Sequence, residues 1–287
     1  MTEAARVDLT GLPTTPGRTA VMGVVNVTPD SFSDGGRWFE TDRAIEHGLE
    51  LIEQGADIVD VGGESTRPGA NRVDPDEELR RVVPVVRRLS EAGVTVSVDT
   101  MRSRVAADAL AAGAHIVNDV SGGRADPDML RVAAEAAAPF VLMHWRQHSD
   151  VMAQREHTAY DDVVADVVAE MRPAIDRALE AGVRPDRLVV DPGLGFSKTG
   201  AQNWTILHHL QVFCDLGYPV LIAASRKRFL GELLATSDGE SAATGDRDAA
   251  TAAITSLAAA AGAWCVRVHD VRPSADAVRV VARWSRG

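Results

Sequence analysis

The hydrophobic pattern of the chain repeats one unit: an amphipathic helical stretch, a glycine, and then a short apolar stretch. Each glycine stands just beyond a helix, where a left-handed backbone is needed and glycine tolerates it best. Two further apolar stretches, "TAVMGVVNV" and "PFVLMHW", fit the same rhythm without the glycine. The pattern predicts eight strands, each followed by a helix. The glycines are Gly55, Gly93, Gly113, Gly182, Gly217 and Gly262.

The helices of this pattern carry one apolar face, as helices packed on a sheet do. The strands are apolar runs without clear alternation, which is typical of parallel strands buried on both faces. One helix shows the pattern well, with Arg80, Arg81, Arg87 and Arg88 on its polar side. Its predicted buried face consists of Leu79, Val82, Val83, Val86 and Leu89.

Eight strand–helix units predict an α/β fold, a (β/α)8 TIM barrel, as a single domain over residues 19–287. A doubly wound open sheet is the alternative, because a strand count alone cannot close a barrel. The glycine-rich nucleotide fingerprint of open dinucleotide-binding sheets is absent after the first strand. Residues 1–18 are polar and rich in Pro and Gly, which predicts a flexible N-terminal tail.

Composition and charge narrow the function classes. The net charge of −11 argues against a nucleic-acid or membrane-surface binder, since both need a basic footprint. There is no signal-peptide core and no long apolar run, so a cytoplasmic protein is expected. Cys214 and Cys265 lie in apolar segments and are interpreted as buried thiols. Only Lys198 and Lys227 among the 30 basic residues are lysines, which indicates either chance or a need for a compact ammonium.

Polar residues end or follow every predicted strand, at the edge where (β/α)8 barrels carry their active sites. Some have a structural interpretation when taken alone: Thr100 and Asp119 as helix caps, and His144 as a hydrogen-bonded wall residue. Eight polar strand ends around one rim nevertheless indicate a site. They are Asn26, residues 64–69, Asp99, Asn118, Asp119, His144, Asp191, residues 225–227, Arg267 and His269.

The strand-end residues have two chemical characters. Carboxylates, an amide and an ammonium suit a flat heterocycle with an amino-pyrimidine edge and a carbonyl. Arg267 and His269, two apart on one strand, point to the same face and form an anion site with Arg67. Asn26 could offer an oxygen to a hard cation such as Mg2+ that holds phosphates. Because there is no HExxH motif and no carboxylate cluster, any metal is expected to arrive with the substrate. The heterocycle group consists of Asp99, Asn118, Asp191 and Lys227.

Seven blocks of the sequence carry a resemblance to known proteins: "GVVNVTPDSFSDGG", "DVGGESTRPGA", "VSVDT", "VNDVSGG", "DPGLGFSK", "SRKRFLG" and "RVHDV". In order and at the right spacing, they resemble the dihydropteroate synthase family. The family implies a (β/α)8 barrel that joins 6-hydroxymethyl-7,8-dihydropterin diphosphate to 4-aminobenzoate, giving 7,8-dihydropteroate and pyrophosphate. It also implies Mg2+, competition by sulfonamides, and a homodimer to which the Ala-rich stretch "DAATAAITSLAAAAG" could contribute.

The resemblance implies a role for each matching residue. The pterin-binding residues are Asp99, Asn118, Asp191 and Lys227. The diphosphate-binding residues are Asn26, Thr66, Arg67, Arg267 and His269, with Asn26 also at the Mg2+. The aminobenzoate-binding residues are Phe32, Thr66, Pro68, Phe196, Ser225 and Arg228, and Ser33 and Asp34 belong to a closing loop. Catalysis falls to Arg67, Lys227, Arg267 and His269. Position 228 is often Ser in the family, so the partner of the aminobenzoate carboxylate stays open.

Two other functions are compatible with a barrel that binds pterin. A pterin-dependent corrinoid methyltransferase domain has no use for a diphosphate site, so the "STRPG" and "RVH" blocks favour the synthase. A non-catalytic pterin-binding paralogue is expected to have lost loop or basic residues, and this chain retains both. The sequence therefore predicts an active synthase.

Overall fold

The structure is a computed structural model and describes residues 17–28, 37–64, 73–147 and 155–286. Strands and helices alternate along the chain, except that β6 and β7 are each followed by two helices. The strands are β1 (Ala20–Asn26), β2 (Ile58–Gly62), β3 (Val96–Asp99), β4 (Ile116–Asp119), β5 (Phe140–Met143), β6 (Leu188–Asp191), β7 (Leu221–Ile222) and β8 (Cys265–Val268). The helices are α1 (Arg37–Glu53), α2 (Pro75–Glu91), α3 (Ser103–Ala111), α4 (Met129–Glu135), α5 (Val163–Glu180), α6 (Gly200–His208), α7 (Leu210–Cys214), α8 (Arg228–Leu233), α9 (Asp248–Ala260) and α10 (Val271–Trp284).

The strands form one parallel sheet in the order β6-β5-β4-β3-β2-β1-β8-β7. Because β1 pairs with both β2 and β8, the first and last strands of the chain are neighbours, as in a barrel. Among the described residues, the ring is completed by a single bridge between Val190 of β6 and Val220, the residue just before β7. The nearly closed ring confirms the predicted (β/α)8 barrel and excludes the doubly wound alternative.

The glycines that follow the helices have the backbone conformation expected of them. All six have a positive φ, from +80° at Gly93 to +108° at Gly113. The helix before β5 ends in the same way with an alanine, because Ala137 has φ +49°. There the N–H of Ala138 donates to the carbonyl of Ala133 at 3.0 Å, which closes the helix end.

The core has two parts, one on each face of the sheet. The inner part fills the barrel and includes Met22, Ile58, Ile116 and Val141. The larger outer part lies between strands and helices and takes the alternate strand residues, such as Val59 and Val61 of β2. Both faces are apolar, which explains why the strands lack visible alternation. Of the two thiols, Cys265 is buried, as predicted, but Cys214 is only partly buried.

The buried face of α2 differs from the predicted one at two positions. Val82, Val86 and Leu89 are buried as predicted, whereas Leu79 and Val83 are only partly buried. Val85 and Glu78 are buried in their place. The prediction placed apolar residues only on the buried face. It missed Glu78 because the charge of this side chain is satisfied by tertiary partners.

The predicted caps at Thr100 and Asp119 are wrong. Thr100 Oγ1 donates to Glu78 Oε1 at 2.6 Å, and α3 begins after Arg102 without a side-chain cap. Asp119 accepts N–H groups of the turn that follows β4, ten residues before α4 begins.

In the described part of the chain, no helix is both long and apolar enough to cross a membrane.

Candidate active site

The polar rim of the barrel follows from the alternation of side chains along each strand. Ile58 and Ile116 face the barrel interior, so the residues two further along, Asp60 and Asn118, face it as well. The same alternation places a polar, interior-facing residue at the C-terminal end of other strands. The result is a polar mouth above an apolar interior. The residues of this mouth are Asn26, Asp60, Asp99, Asn118, Asp191 and Arg267.

An ion cluster links four strands at the mouth. Arg267 donates from Nε to Asp60 Oδ2 at 2.6 Å and from Nη2 to Asp99 Oδ2 at 2.8 Å. Asn118 Nδ2 donates to the same Asp60 oxygen at 3.0 Å. Asp60 is completely buried, and its Oδ1 has no hydrogen-bond partner within the described residues. One buried carboxylate therefore orients two predicted site residues directly and a third, Asp99, through Arg267.

The carboxyl groups of the mouth have perturbed pKa values. Burial raises the pKa of Asp99 to about 7, Arg267 opposes this shift, and the charge of Asp60 adds to it. Burial also raises the pKa of Asp191, and Lys227 opposes that shift. Asp60 and Asp99 share the guanidinium of Arg267, so one of their two negative charges is poorly compensated. Because burial disfavours their charged forms, Asp99 and Asp191 would both be stabilised by a ligand that donates hydrogen bonds.

Lys227 lies just before α8 and reaches the loop that follows β6. Its ammonium donates to the carbonyl of Leu194 and lies 4.7 Å from the centre of the Phe196 ring. In the same loop, Asp191 Oδ1 accepts the N–H of Gly193 at 2.7 Å. Burial lowers the pKa of Lys227 to about 8, against the effect of Asp191. Three predicted site residues, Asp191 of β6, Phe196 of the following loop and Lys227 just before α8, thus lie in one sector of the mouth.

Lys198, the other lysine, is buried against the same loop. Its Nζ lies 2.9 Å from His144 Nδ1 and 3.1 Å from the carbonyl oxygens of both Gly193 and Phe196. His144 Nε2 lies 3.0 Å from Glu170 Oε2, so the imidazole is hydrogen-bonded on both sides. Burial lowers the pKa of Lys198 to about 7 and that of His144 to about 4. His144 is a hydrogen-bonded wall residue, as the sequence predicts.

Ser225 and His269 meet at the ends of β7 and β8. Ser225 Oγ lies 3.0 Å from His269 Nδ1 and accepts the backbone N–H of His269 at 3.1 Å. Arg228, the first residue of α8, is 77% exposed and pairs with Glu232 at 3.2 Å. The structure therefore places Ser225 at the rim beside His269, whereas the Arg228 side chain lies on the surface.

Six predicted site residues lie outside the described residues: Phe32, Ser33, Asp34, Thr66, Arg67 and Pro68. The chain on either side of residues 65–72 is described, and Arg102 binds both ends. Arg102 Nη2 donates to Glu64 Oε2 at 2.8 Å and to the carbonyl of Val73 at 2.5 Å, while its Nη1 pairs with the buried Glu78. A buried acid–arginine cluster thus ties the start and the end of this segment to the barrel.

Asp60 and Glu78 belong to these clusters but were not predicted from the sequence. Asp60 carried a usable signal, because a carboxylate between two valines of an apolar strand must find a partner. Glu78 carried no such signal, since an acid in the first turn of a helix is ordinary. Its pKa is raised by burial, and Thr100 and Arg102 oppose that shift.

Two cavities of about 610 and 480 Å³ lie away from the mouth. The candidate site is therefore identified from its polar side chains and not from a cavity. One cavity lies against α5, α6 and α7, and the other lies beside the C-terminal ends of α1 and α2. Neither contains a predicted site residue. Across residues 17–28, 37–64, 73–147 and 155–286, no group of three or more His, Cys, Asp or Glu residues could hold a metal ion.

Comparisons with known proteins agree with the chemistry of the mouth. Residues 22–269 match the family described as pterin binding enzyme. The dihydropteroate synthase of Mycobacterium leprae is 57% identical over 266 residues, 92% of this chain and 93% of that protein. The dihydropteroate synthase of Bacillus subtilis is 44% identical over 265 residues, 92% of this chain and 88% of that protein.

Solved structures agree with the sequence relatives. The Xanthomonas albilineans dihydropteroate synthase with 4-aminobenzoic acid superimposes with a TM-score of 0.88 at 44% identity, covering 99% of this chain and 100% of that chain. Its complex with 7,8-dihydropteroate gives a TM-score of 0.85 at 42% identity, covering 98% and 99% of the two chains.

Proposed function

Because the chain belongs to the family of pterin-binding enzymes, we propose that it is a dihydropteroate synthase. It condenses 6-hydroxymethyl-7,8-dihydropterin diphosphate with 4-aminobenzoate and releases pyrophosphate. One observation carries the proposal: the buried carboxylates of Asp99 and Asp191 share a barrel mouth with the guanidinium of Arg267. A single site can thus accept hydrogen bonds from an amino-pyrimidine and supply positive charge to a leaving group.

The pterin binds to the buried acceptors of the mouth. Its N–H groups donate to Asp99 and Asp191, and the amide of Asn118 can both donate and accept. The ammonium of Lys227 reaches a ring nitrogen or the carbonyl. All three acceptor side chains are buried, so hydrogen bonds to them form in a medium of low dielectric, where they are strong.

The diphosphate binds on the basic side of the mouth. Arg267 and His269 supply donors there, and Thr66 and Arg67, in the segment that follows β2 in sequence, are proposed as further donors. An Mg2+ ion carried by the diphosphate would be held here and would neutralise part of the charge of the leaving group. Asn26 ends β1 at the mouth with a partly exposed side chain, so its amide oxygen fits one position of such an ion. One oxygen cannot hold the cation alone, which agrees with an ion carried by the substrate.

The 4-aminobenzoate binds next to Phe196, whose ring lies beside the ammonium of Lys227. Ser225 is on the same rim, and Phe32, Thr66 and Pro68, in the segments that follow β1 and β2 in sequence, are proposed as further contacts of this substrate. Ser33 and Asp34 belong to the loop that closes over the substrates. Arg228 turns from its exposed pairing with Glu232 toward the carboxylate. A long arginine at the rim can reach a carboxylate that a serine would contact directly.

The reaction is a substitution at the methylene carbon of the pterin. The C–O bond to the diphosphate breaks, the C–N bond to the arylamine forms, and the nitrogen then loses a proton. A neutral arylamine is already a nucleophile, so the main barrier is the charge that develops on the departing oxygens. Arg67, Arg267 and His269 stabilise that charge. Lys227, through its pterin contact, holds the methylene in line with the amine.

The enzyme is a homodimer that associates through α9 and α10. These two helices pack against each other and leave large apolar side chains in solvent: Leu257 is 70% exposed, Val280 63% and Trp284 84%. Val280 and Trp284 are four residues apart and so lie on the same side of α10, and exposed apolar side chains of this size indicate an interaction surface. Light scattering after gel filtration should give twice the chain mass of 30.6 kDa. The Trp284→Ser variant should have a lower average mass, closer to that of the monomer. The same mass for the variant and the wild type would exclude this interface.

The activity is tested by pyrophosphate release from the purified protein with pterin diphosphate and Mg2+, with and without 4-aminobenzoate. We expect release that depends on the amine, with an equal amount of dihydropteroate. Tight pterin binding without amine-dependent release would instead identify a non-catalytic pterin-binding protein.

A further inference from the structure

The ammonium of Lys198 makes a complete set of hydrogen bonds in a buried position. An ammonium has three N–H donors, and its acceptors here are His144 Nδ1 and the carbonyls of Gly193 and Phe196. The side chain is only 7% exposed. A buried cation is costly unless it is fully hydrogen-bonded, so this arrangement indicates a defined task for the residue.

The loop that Lys198 binds has an unfavourable backbone. Gly193, Gly195 and Ser197 all have positive φ, with +47° at the serine, where the side chain adds a steric cost. Such a conformation persists only when its surroundings hold it. Asn203 adds one contact, because its Oδ1 accepts the N–H of Gly195 at 2.7 Å.

Both lysines of the chain bind this loop, from different elements. Lys227 donates to the carbonyl of Leu194, and Lys198 donates to those of Gly193 and Phe196. The loop carries the aromatic ring that lies against the ammonium of Lys227. Its carbonyl groups at three of four successive residues are therefore held by the two ammonium groups.

The third acceptor of the Lys198 ammonium, His144, begins a chain of partners that reaches the surface. His144 Nδ1 accepts from the ammonium, so the imidazole proton is on Nε2 and points to Glu170. Arg146 Nε donates to the same Glu170 oxygen at 2.9 Å. Burial would raise the pKa of Glu170, but the hydrogen bonds from His144 and Arg146 lower it to about 2. Burial and the charge of Lys198 lower the pKa of His144 to about 4, against the opposing effect of Glu170, so the imidazole stays neutral and Nδ1 is oriented as an acceptor.

We propose that Lys198 is a positioning residue of the aminobenzoate site, which holds the loop of residues 192–197 so that Phe196 stays against the substrate. His144 and Glu170 orient its ammonium. The inference rests on the proposed synthase activity for the identity of the substrate only. An arginine cannot replace Lys198, because a planar guanidinium is larger and the contact region is tight: a Cβ built on Gly193 would lie 2.4 Å from the carbonyl oxygen of His144 and 3.4 Å from Lys198 Nζ.

The test compares Lys198→Met, which keeps the length of the side chain and removes its donors, with the wild-type enzyme. We expect the KM for 4-aminobenzoate to rise at least about tenfold and kcat to fall less than about threefold, since the loop positions substrate and touches no reacting atom. The Kd of the pterin diphosphate should change less than about threefold. The control Arg184→Met removes a cation from an exposed ion pair with Asp186 and should change none of these values. An unchanged KM in Lys198→Met, at full pterin affinity, would overturn the proposal.

A second pair of variants tests the same contact if Lys198→Met does not fold. His144→Asn keeps an acceptor near the position of Nδ1, whereas His144→Leu removes it. We expect His144→Leu to raise the KM for 4-aminobenzoate and His144→Asn to restore most of the affinity. Equal KM values in the two variants would refute a role for the acceptor and therefore for the ammonium that it orients.

Hydrogen exchange of the peptide that covers residues 191–199 separates this inference from the proposed activity, because it needs no turnover. The N–H of Phe196 donates to Gly193 and that of Gly195 to Asn203, and both should lose protection in Lys198→Met. If Lys198→Met loses this protection and the wild-type protein has no synthase activity, the proposed activity is refuted and the role of Lys198 in holding the loop is supported. Unchanged protection together with an unchanged KM would remove the inference.

Discussion

The buried carboxylate of Asp60 should control the charge of Asp99. The variant Asp60→Asn replaces one oxygen by an NH2 group of similar size. Its amide oxygen can still accept from Arg267 and Asn118, and the NH2 group takes the position of Oδ1, which has no partner within the described residues. The substitution thus removes the charge and keeps the geometry, and Asp99 then has Arg267 as a counter-ion that it does not share.

The expected size of the effect follows from the geometry of the cluster. Two carboxylates bound to neighbouring nitrogens of one guanidinium lie roughly 5 Å apart, and at an effective dielectric constant of about 20 they repel each other by about 3 kcal/mol. That energy corresponds to about two pKa units. Relaxation of the neighbours reduces it, so we expect the pKa of Asp99 to fall by about one to two units from its value of about 7.

The assay is the pH dependence of pterin diphosphate affinity, measured by titration calorimetry. Asp99 must be ionised to accept a pterin N–H, so wild-type affinity should weaken as the pH falls through about 7. In Asp60→Asn this loss should begin at lower pH. Asp57→Asn is the matched control, because Asp57 also pairs with an arginine, Arg18, but lies at the opposite end of β2. A midpoint that does not move in Asp60→Asn, or that moves equally in Asp57→Asn, would refute the reasoning.

Other substitutions test separate parts of the molecule. Arg267→Ala should lower the rate by roughly 10²–10³-fold, the usual loss for one donor to a developing anion, and a loss under about threefold would remove Arg267 from the mechanism. Phe32→Ala should weaken 4-aminobenzoate binding, measured as KM, and unchanged affinity would exclude a contact. Ala137→Gly should raise the unfolding free energy by about 0.5–1 kcal/mol, or the Tm by about 1–3 °C, because it relieves a left-handed alanine. Gly93→Ala, at φ +80° with no atom within 4 Å of a new Cβ, should lower the Tm by a similar amount, and shifts of the same sign in both would contradict the argument.

The fold could be predicted because its signals are local. A glycine beyond a helix and an apolar run after it are read within about a dozen residues, and eight repeats of that unit limit the architecture to a few choices. Ala137 marks the limit of the signal, because the conformation is required by the helix end and the residue type is only preferred. The face of α2 was misjudged for a related reason: Glu78 is buried by contacts that the helix itself does not contain.

The location of the candidate site was also predictable, because parallel strands present their carboxyl ends at one edge. The connections within the site were not. Arg267 binds Asp60 across 207 residues of sequence, and no periodicity links the two positions. The same holds for Lys198, whose imidazole partner is 54 residues earlier. Residue types at strand ends indicate which chemistry is available, whereas the hydrogen bonds that orient them exist only once the ring has formed.

The weak junction of the barrel has a topological consequence. In terms of hydrogen-bonded ladders the sheet is a ribbon with β6 at one edge and β7 at the other, joined by one bridge between Val190 and Val220. The ends of the described chain are close together, since a Cβ on Gly17 would lie 2.7 Å from the guanidinium of Arg286. The chain could be joined at those ends and opened near Gly217, where a new Cβ would meet no atom within 4 Å. The two edge strands, β7 and β6, would then be the first and the last strand of the sequence. A circular permutant cut there would keep every ladder from β7 through β8 and β1 to β6, so the order of the chain would follow the order of the sheet.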